Sequence, residues 1–149
     1  MKNKFGYVGS FPYIRNMNWE YIAGFFDADG SITLSKVHAN SRRTPVVSFH
    51  NNEMNILIAI QDFIEKETGF KGFITSKKKA QEHHTQAYDL KYSGLPKCMA
   101  IGERLLSIHT KKSYRFRLLW DLKEVTPRNG KYSHEQLEKR QWLESKFFE

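Results

Sequence analysis

Cysteine is almost missing from this sequence: Cys98 stands alone in 149 residues. That excludes an intrachain disulfide framework and a cysteine-rich metal site. It makes a reducing, intracellular compartment the expected home, either an organelle such as a chloroplast or mitochondrion or a prokaryotic cytoplasm. Long apolar runs are missing too. None approaches the ~20 residues that span a bilayer, so no membrane partner is expected. The opening stretch lacks the continuous apolar core of a secretory signal. It holds Lys2, Lys4 and Arg15 without an acid, but its Gly, Pro and Tyr content makes a poor amphipathic transit helix. Linker-like composition and internal repeats are also absent. The expected organisation is an N-terminal extension over 1–17 and one domain over 18–149, with its core over 18–125 and a C-terminal helix over 133–148.

Acids are outnumbered, 16 against 24 lysines and arginines, for a net charge of +8. Diffuse positive charge of this kind points to a polyanionic partner more readily than to a small acidic substrate. The charge is also uneven. Ser31 to Asn52 holds Lys36, Arg42 and Arg43 with no acid, whereas Glu53 to Thr68 holds four acids and one lysine. One basic and one acidic face are expected.

Asn18 is a suitable N-cap for a short helix over Trp19–Phe26, with Glu20 favourably placed in its first turn. Ser31–Val37 and Pro45–Asn51 read as strands joined by a loop through Asn40, Ser41, Arg42 and Arg43. From Glu53, the apolar residues Ile56, Leu57, Ile60, Phe63 and Ile64 recur at helical spacing, and Gly69 supplies the stop. A second strand pair follows, Phe70–Lys77 and Gln86–Tyr92, and Pro96 opens a helix running to Ser107. Ser113–Val125 is a further helix, ended by Pro127. Ser133 and Gln136 form a capping box for the last one, whose apolar side is Leu137, Leu143 and Phe147. The predicted class is α+β, in the order α-β-β-α-β-β-α with additional C-terminal helices. Phe116, Trp120, Trp142, Phe147 and Phe148 fall on helical patterns and are expected in the core.

The run Ile22-Ala23-Gly24-Phe25-Phe26-Asp27-Ala28-Asp29-Gly30 stands out, because two carboxylates follow closely on small residues at a helix end. It resembles the signature of the LAGLIDADG homing endonucleases, with only apolar-for-apolar changes at Ile22, Phe25 and Phe26. Ser31-Ile32 continues in the family manner, and the element order is similar from Asn18 to Val125. The resemblance implies a fold whose antiparallel sheet forms a saddle for double-stranded DNA. It implies a site-specific, intron-encoded endonuclease that hydrolyses both strands with Mg2+, Ca2+ serving as a non-cleaving substitute. One copy of the motif implies a homodimer on a long, roughly palindromic site.

The residues fit that implication. Ala23 and Gly24 would let the helix approach its symmetry mate closely, with Asp27 at the same interface. Asp29 and the Ala28 carbonyl offer oxygen ligands for a hard cation, and by analogy Asp27 bonds backbone. The resemblance also implies an assisting lysine before a late helix, which points to Lys111 first and Lys112 second. The family's water-positioning glutamine has no counterpart here; Asn52 or Glu53 stands at that place, and Glu53 equally suits a first-turn helix acid.

Strand alternation nominates the DNA-reading residues: Lys36, His38, Asn40, Arg42, Arg43, Ser48, His50, Lys71, Thr75, Lys77, Lys79, Gln86, Tyr88 and Lys91, with Lys112 a further phosphate contact. Zinc is not expected, because His83 and His84 have no partners at finger spacing. The rival readings are an RNA maturase using the same scaffold on intron RNA, and a catalytically silent DNA-binding module.

Overall fold

The computed structural model describes residues 17–36, 43–77, 81–83, 85–108 and 111–148. The N-terminal extension through Asn16, and Val37, His38, Asn40, Arg42, Lys79, His84, His109 and Thr110, lie outside the described residues.

Helix α1 spans Trp19–Asp29, its N-terminus capped by the Asn18 side chain, which accepts from the Tyr21 N–H at 2.7 Å. It runs one turn beyond the expected Phe26. The extra turn is held because Lys112 Nζ donates to the carbonyls of Phe26 and Gly30, a cation at the negative end of the helix dipole. Strand β1 (Gly30–Ser35) follows with no intervening residue. Strand β2 (Thr44–Asn51) pairs with it antiparallel, and helix α2 (Met54–Thr68) ends at Gly69, whose φ of 81° is the left-handed region glycine favours.

Strand β3 (Phe73–Ser76) is shorter than the expected Phe70–Lys77. Its entry is used for packing instead: a Cβ on Gly72 would lie 2.6 Å from the Tyr92 ring, and the Gly72 carbonyl accepts from Gln61 of α2 at 2.7 Å. Strand β4 (Tyr88–Ser93) completes a four-stranded antiparallel sheet in the order β1-β2-β4-β3. Helices α3 (Leu95–Leu106), α4 (Ser113–Glu124) and α5 (His134–Lys146) follow. The capping box of Ser133 and Gln136 forms as expected.

One face of the sheet is apolar. Ile32, Leu34, Val47, Phe49, Leu90 and Tyr92 join Ile22 and Phe26 of α1, Leu57, Ile60 and Ile64 of α2, and Phe116 and Leu119 of α4 in one core. Burying this many large side chains at roughly 1.5–3 kcal/mol each is what fixes the register of β1, β2 and β4.

Two aromatic expectations are corrected. Phe116 and Phe147 are core and Trp120 packs against it, but Trp142 and Phe148 are exposed at 60% and 59%. Each has a cation near its ring: Lys146 lies 4.9 Å from the Trp142 ring centre, and Arg43 lies 5.2 Å from that of Phe148. The buried residue of α5 that periodicity missed is Arg140. It donates to Glu144, Thr126, the Tyr132 hydroxyl and the Arg43 carbonyl, tying the C-terminal helix to the start of β2.

Candidate active site and sheet surface

The last turn of α1 is where the chemistry-bearing residues collect. Ala28 and Asp29 are exposed, whereas Asp27 is half-buried. Asp27 Oδ2 accepts from the Lys111 N–H at 3.4 Å, and its Oδ1 is buried with no partner. Lys111 therefore reaches the site through its backbone. Lys112 reaches it through its ammonium, 2.9 Å from the Phe26 carbonyl and 5.2 Å from the Phe26 ring centre. Burial lowers the Lys112 pKa below the usual lysine value, with Asp27 opposing that shift.

Gly30 is needed where helix meets strand because of space, not backbone angle. A Cβ there would lie 2.8 Å from Phe26 Cα and closer still to its ring. Substitution would push the helix end away from the strand.

The donor set suits a hard divalent cation. An exposed carboxylate beside a carbonyl, at the negative end of a helix, supplies oxygen ligands and favours positive charge. Among the described residues no three His, Cys, Asp or Glu side chains cluster for a metal. Asn52 and Glu53 are both exposed. Glu53 occupies the N-cap of α2 without a side-chain cap bond, and its N–H donates to Asn51 Oδ1 at 2.8 Å. Its charge, after burial, helps raise the Tyr21 pKa, which sets Glu53 beside α1.

The opposite face of the sheet is polar. Register aligns Ser31 with Ser48, Ser48 with Lys91, His50 with Asp89 and Asp89 with Thr75. Ser48, His50, Thr75, Lys77 and Lys91 thus share one face, and Lys71 has the same parity just before β3. Ser48 is only 4% exposed, enclosed by its neighbours. Tyr88 has the other parity and packs against the core. Gln86 shares that parity, and its side chain donates to the carbonyls of Lys77 and Ala87. Lys36 is exposed just past β1, in step with Ile32 and Leu34. The Arg43 guanidinium faces Glu144 at 3.8 Å as well as the Phe148 ring.

On α1, Ala23 is 3% exposed and belongs to the core of its own chain. Gly24 is exposed, and nothing lies within 4 Å of where its Cβ would be. Gly24 and Ala28, one turn apart, form the small-residue strip that α1 leaves uncovered. Reasoning from sequence also missed Ser31 and Asp89, which meet His50 on the polar face. The available signal was alternation from His50 across a strand pair that is not sequential.

A carboxylate-tipped helix that passes without a linker into an antiparallel saddle defines the class of LAGLIDADG folds. The family model for LAGLIDADG endonucleases matches residues 22–122, and the chain belongs to that family. Among solved structures it is similar to the archaeal intron-encoded homing endonuclease I-Vdi141I complexed with DNA, at TM-score 0.67 and 21% identity, covering 90% of this chain and 84% of that one. It is similar to the homing endonuclease I-CvuI in complex with its target in the presence of Ca, at TM-score 0.67 and 19% identity, covering 87% and 79%. The LAGLIDADG meganuclease I-CpaMI, bound to uncleaved DNA, matches at TM-score 0.62 and 19% identity, covering 81% of this chain but 42% of that one. No curated protein sequence matches the chain. Among the described residues, no helix is long and apolar enough to cross a membrane.

Proposed function

We propose that residues 18–149 form a site-specific homing endonuclease domain that binds a long, roughly palindromic DNA duplex as a homodimer and hydrolyses both strands with a divalent cation. The observation that carries this reading is the exposed Asp29–Ala28 pair at the end of α1, flanked by Lys112 and continuous with the polar face of the sheet. Pairing through the open strip of Gly24 and Ala28 would bring two such helix ends together.

In this mechanism the Asp29 carboxylate and the Ala28 carbonyl of each chain would hold a divalent cation. The chemistry it would supply is charge stabilisation and a more acidic water. Lys112 is the better placed of the two lysines to move a proton. Its ammonium enters the site and its pKa is lowered, whereas Lys111 contributes a backbone N–H. Glu53 and Asn52, exposed at the start of α2, are the groups offered to position water. The polar sheet face holds the duplex, with Lys71, Lys77 and Lys91 meeting phosphate or base edges.

Cleavage of duplex DNA selected from a randomised library tests this reading. Asp29→Asn is expected to abolish Mg2+-dependent cutting while leaving binding in Ca2+ within about tenfold, because only the chemistry needs the lost charge. Cutting by Asp29→Asn at the wild-type rate would show the site to be misplaced. An active monomer in sedimentation would overturn the dimer.

A further inference from the structure

A carboxylate is out of place on a surface built to meet a polyanion, yet Asp89 sits in the middle of the polar sheet face. Its side chain is about nine-tenths buried and engaged on two sides. His50 Nδ1 bonds Asp89 Oδ1, and Lys77 Nζ lies 3.9 Å from the same oxygen. The acceptor-only carboxylate requires the proton on His50 Nδ1, which leaves Nε2 facing Ser31 Oγ at 3.3 Å. Lys77 is itself fixed, one step beyond the last β3–β4 pair, by its N–H bond to the Ala87 carbonyl at 2.8 Å. One buried anion thus pins two partly exposed side chains at adjacent points of the same face.

We propose that Asp89 is a positioning residue that sets Lys77 as a reader of the acceptor edge of one guanine in each half-site. This rests on the reading of the chain as a sequence-specific DNA-binding protein. An untethered lysine swings to the nearest phosphate and carries no sequence information. A tethered one is directional, and in the major groove the paired acceptors that suit it are guanine O6 and N7. Asp89 is too enclosed to accept from a cytosine amine itself, so its effect passes through the Lys77 ammonium beside it.

The experiment selects binding sites for wild type and Asp89→Asn from a randomised duplex library, with Ca2+ to prevent cutting. 7-Deazaguanine is then substituted singly into the selected site. Wild type is expected to require one G·C pair per half-site and to lose at least about tenfold in affinity when that guanine lacks N7. Asp89→Asn should reduce this discrimination to within about twofold and leave preference elsewhere intact, a pattern that general loosening of the sheet would not give. Lys77→Ala, at a partly exposed side chain, should reproduce the local loss if Asp89→Asn folds poorly. Unchanged preference in these variants, or weakening spread evenly over all positions, overturns the assignment. If wild type selects no site at all, the DNA reading itself fails, and this assignment with it.

Discussion

The two faces of the sheet are made by the same strands and differ in what they tolerate. Ile32, Val47, Phe49 and Leu90 on one face are at most 1% exposed and meet three helices. Ser31, His50, Lys91 and Thr75 on the other meet no helix core and contact each other through polar atoms or stand in solvent. Stability is concentrated on the first face, and chemistry that a partner could use on the second. The two meet at Gly30, where Phe26 of the core touches the residue that follows Asp29.

The largest expected effect that sharpens this division is on the inner face. Phe49→Ala should cost about 3–5 kcal/mol of unfolding free energy by chemical denaturation, the range for a buried aromatic truncated in a core. The base preference of whatever protein remains folded should be unchanged. A shift in preference would mean that the inner face also reads.

Next is the contrast between neighbours at the seam. Lys112→Met should slow cleavage about a hundredfold beyond any loss in binding, a usual size for a group assisting proton transfer, whereas Lys111→Ala should stay within a few-fold of wild type. Single-turnover rates at saturating enzyme separate chemistry from binding. The reverse ranking would return the role to Lys111.

A smaller effect belongs to the outer face alone. If Lys91 contacts phosphate, Lys91→Ala should flatten the dependence of log K on log salt by about 0.9 per chain without moving the melting temperature. An unaltered slope would place the duplex elsewhere.

The smallest concerns Cys98, beneath the inner face, whose thiol burial pushes from 9.0 up to about 12. The unfolded chain ionises this thiol from about pH 9 while the folded chain keeps it protonated. Stability from this group is therefore full below pH 9 and is lost as pH rises towards 12. Cys98→Ala should make the alkaline fall in stability shallower, by up to ~1.4 kcal/mol per pH unit within that window. An equal slope in both proteins would mean that the thiol is open to solvent.

Local chemistry was legible in the sequence. Asn18, Gly69 and the Ser133–Gln136 pair mark helix ends because each acts within a few residues of itself. The nine-residue run placed Asp29 correctly at a helix end, and period-two alternation put Ser48 and His50 on the same face of β2. What stayed hidden depends on residues far apart in the chain. That Lys112 rather than Lys111 brings its ammonium to the end of α1 depends on carbonyls more than 80 positions away. Asp89 meets His50 only because β4 inserts beside β2, and a strand's own pattern does not say which strand lies next to it. Arg140 carries a charge that periodicity assigns to solvent, but four partners draw it inward. Ala23 and Gly24 are equally small; only the packed helix shows that the first is enclosed and the second open.

Because α1 ends at Asp29 and β1 begins at Gly30, the proposed catalytic end and the polar sheet face share one uninterrupted stretch of backbone. This region can drift in residue type but not in length. A single inserted or deleted residue after Asp29 would turn Ser31 and Thr33 towards the core and Ile32 towards the polar face, since each step along a strand reverses the side chain. Under the proposed function, substitution here can change target preference, while any change of length would cost cutting and reading together.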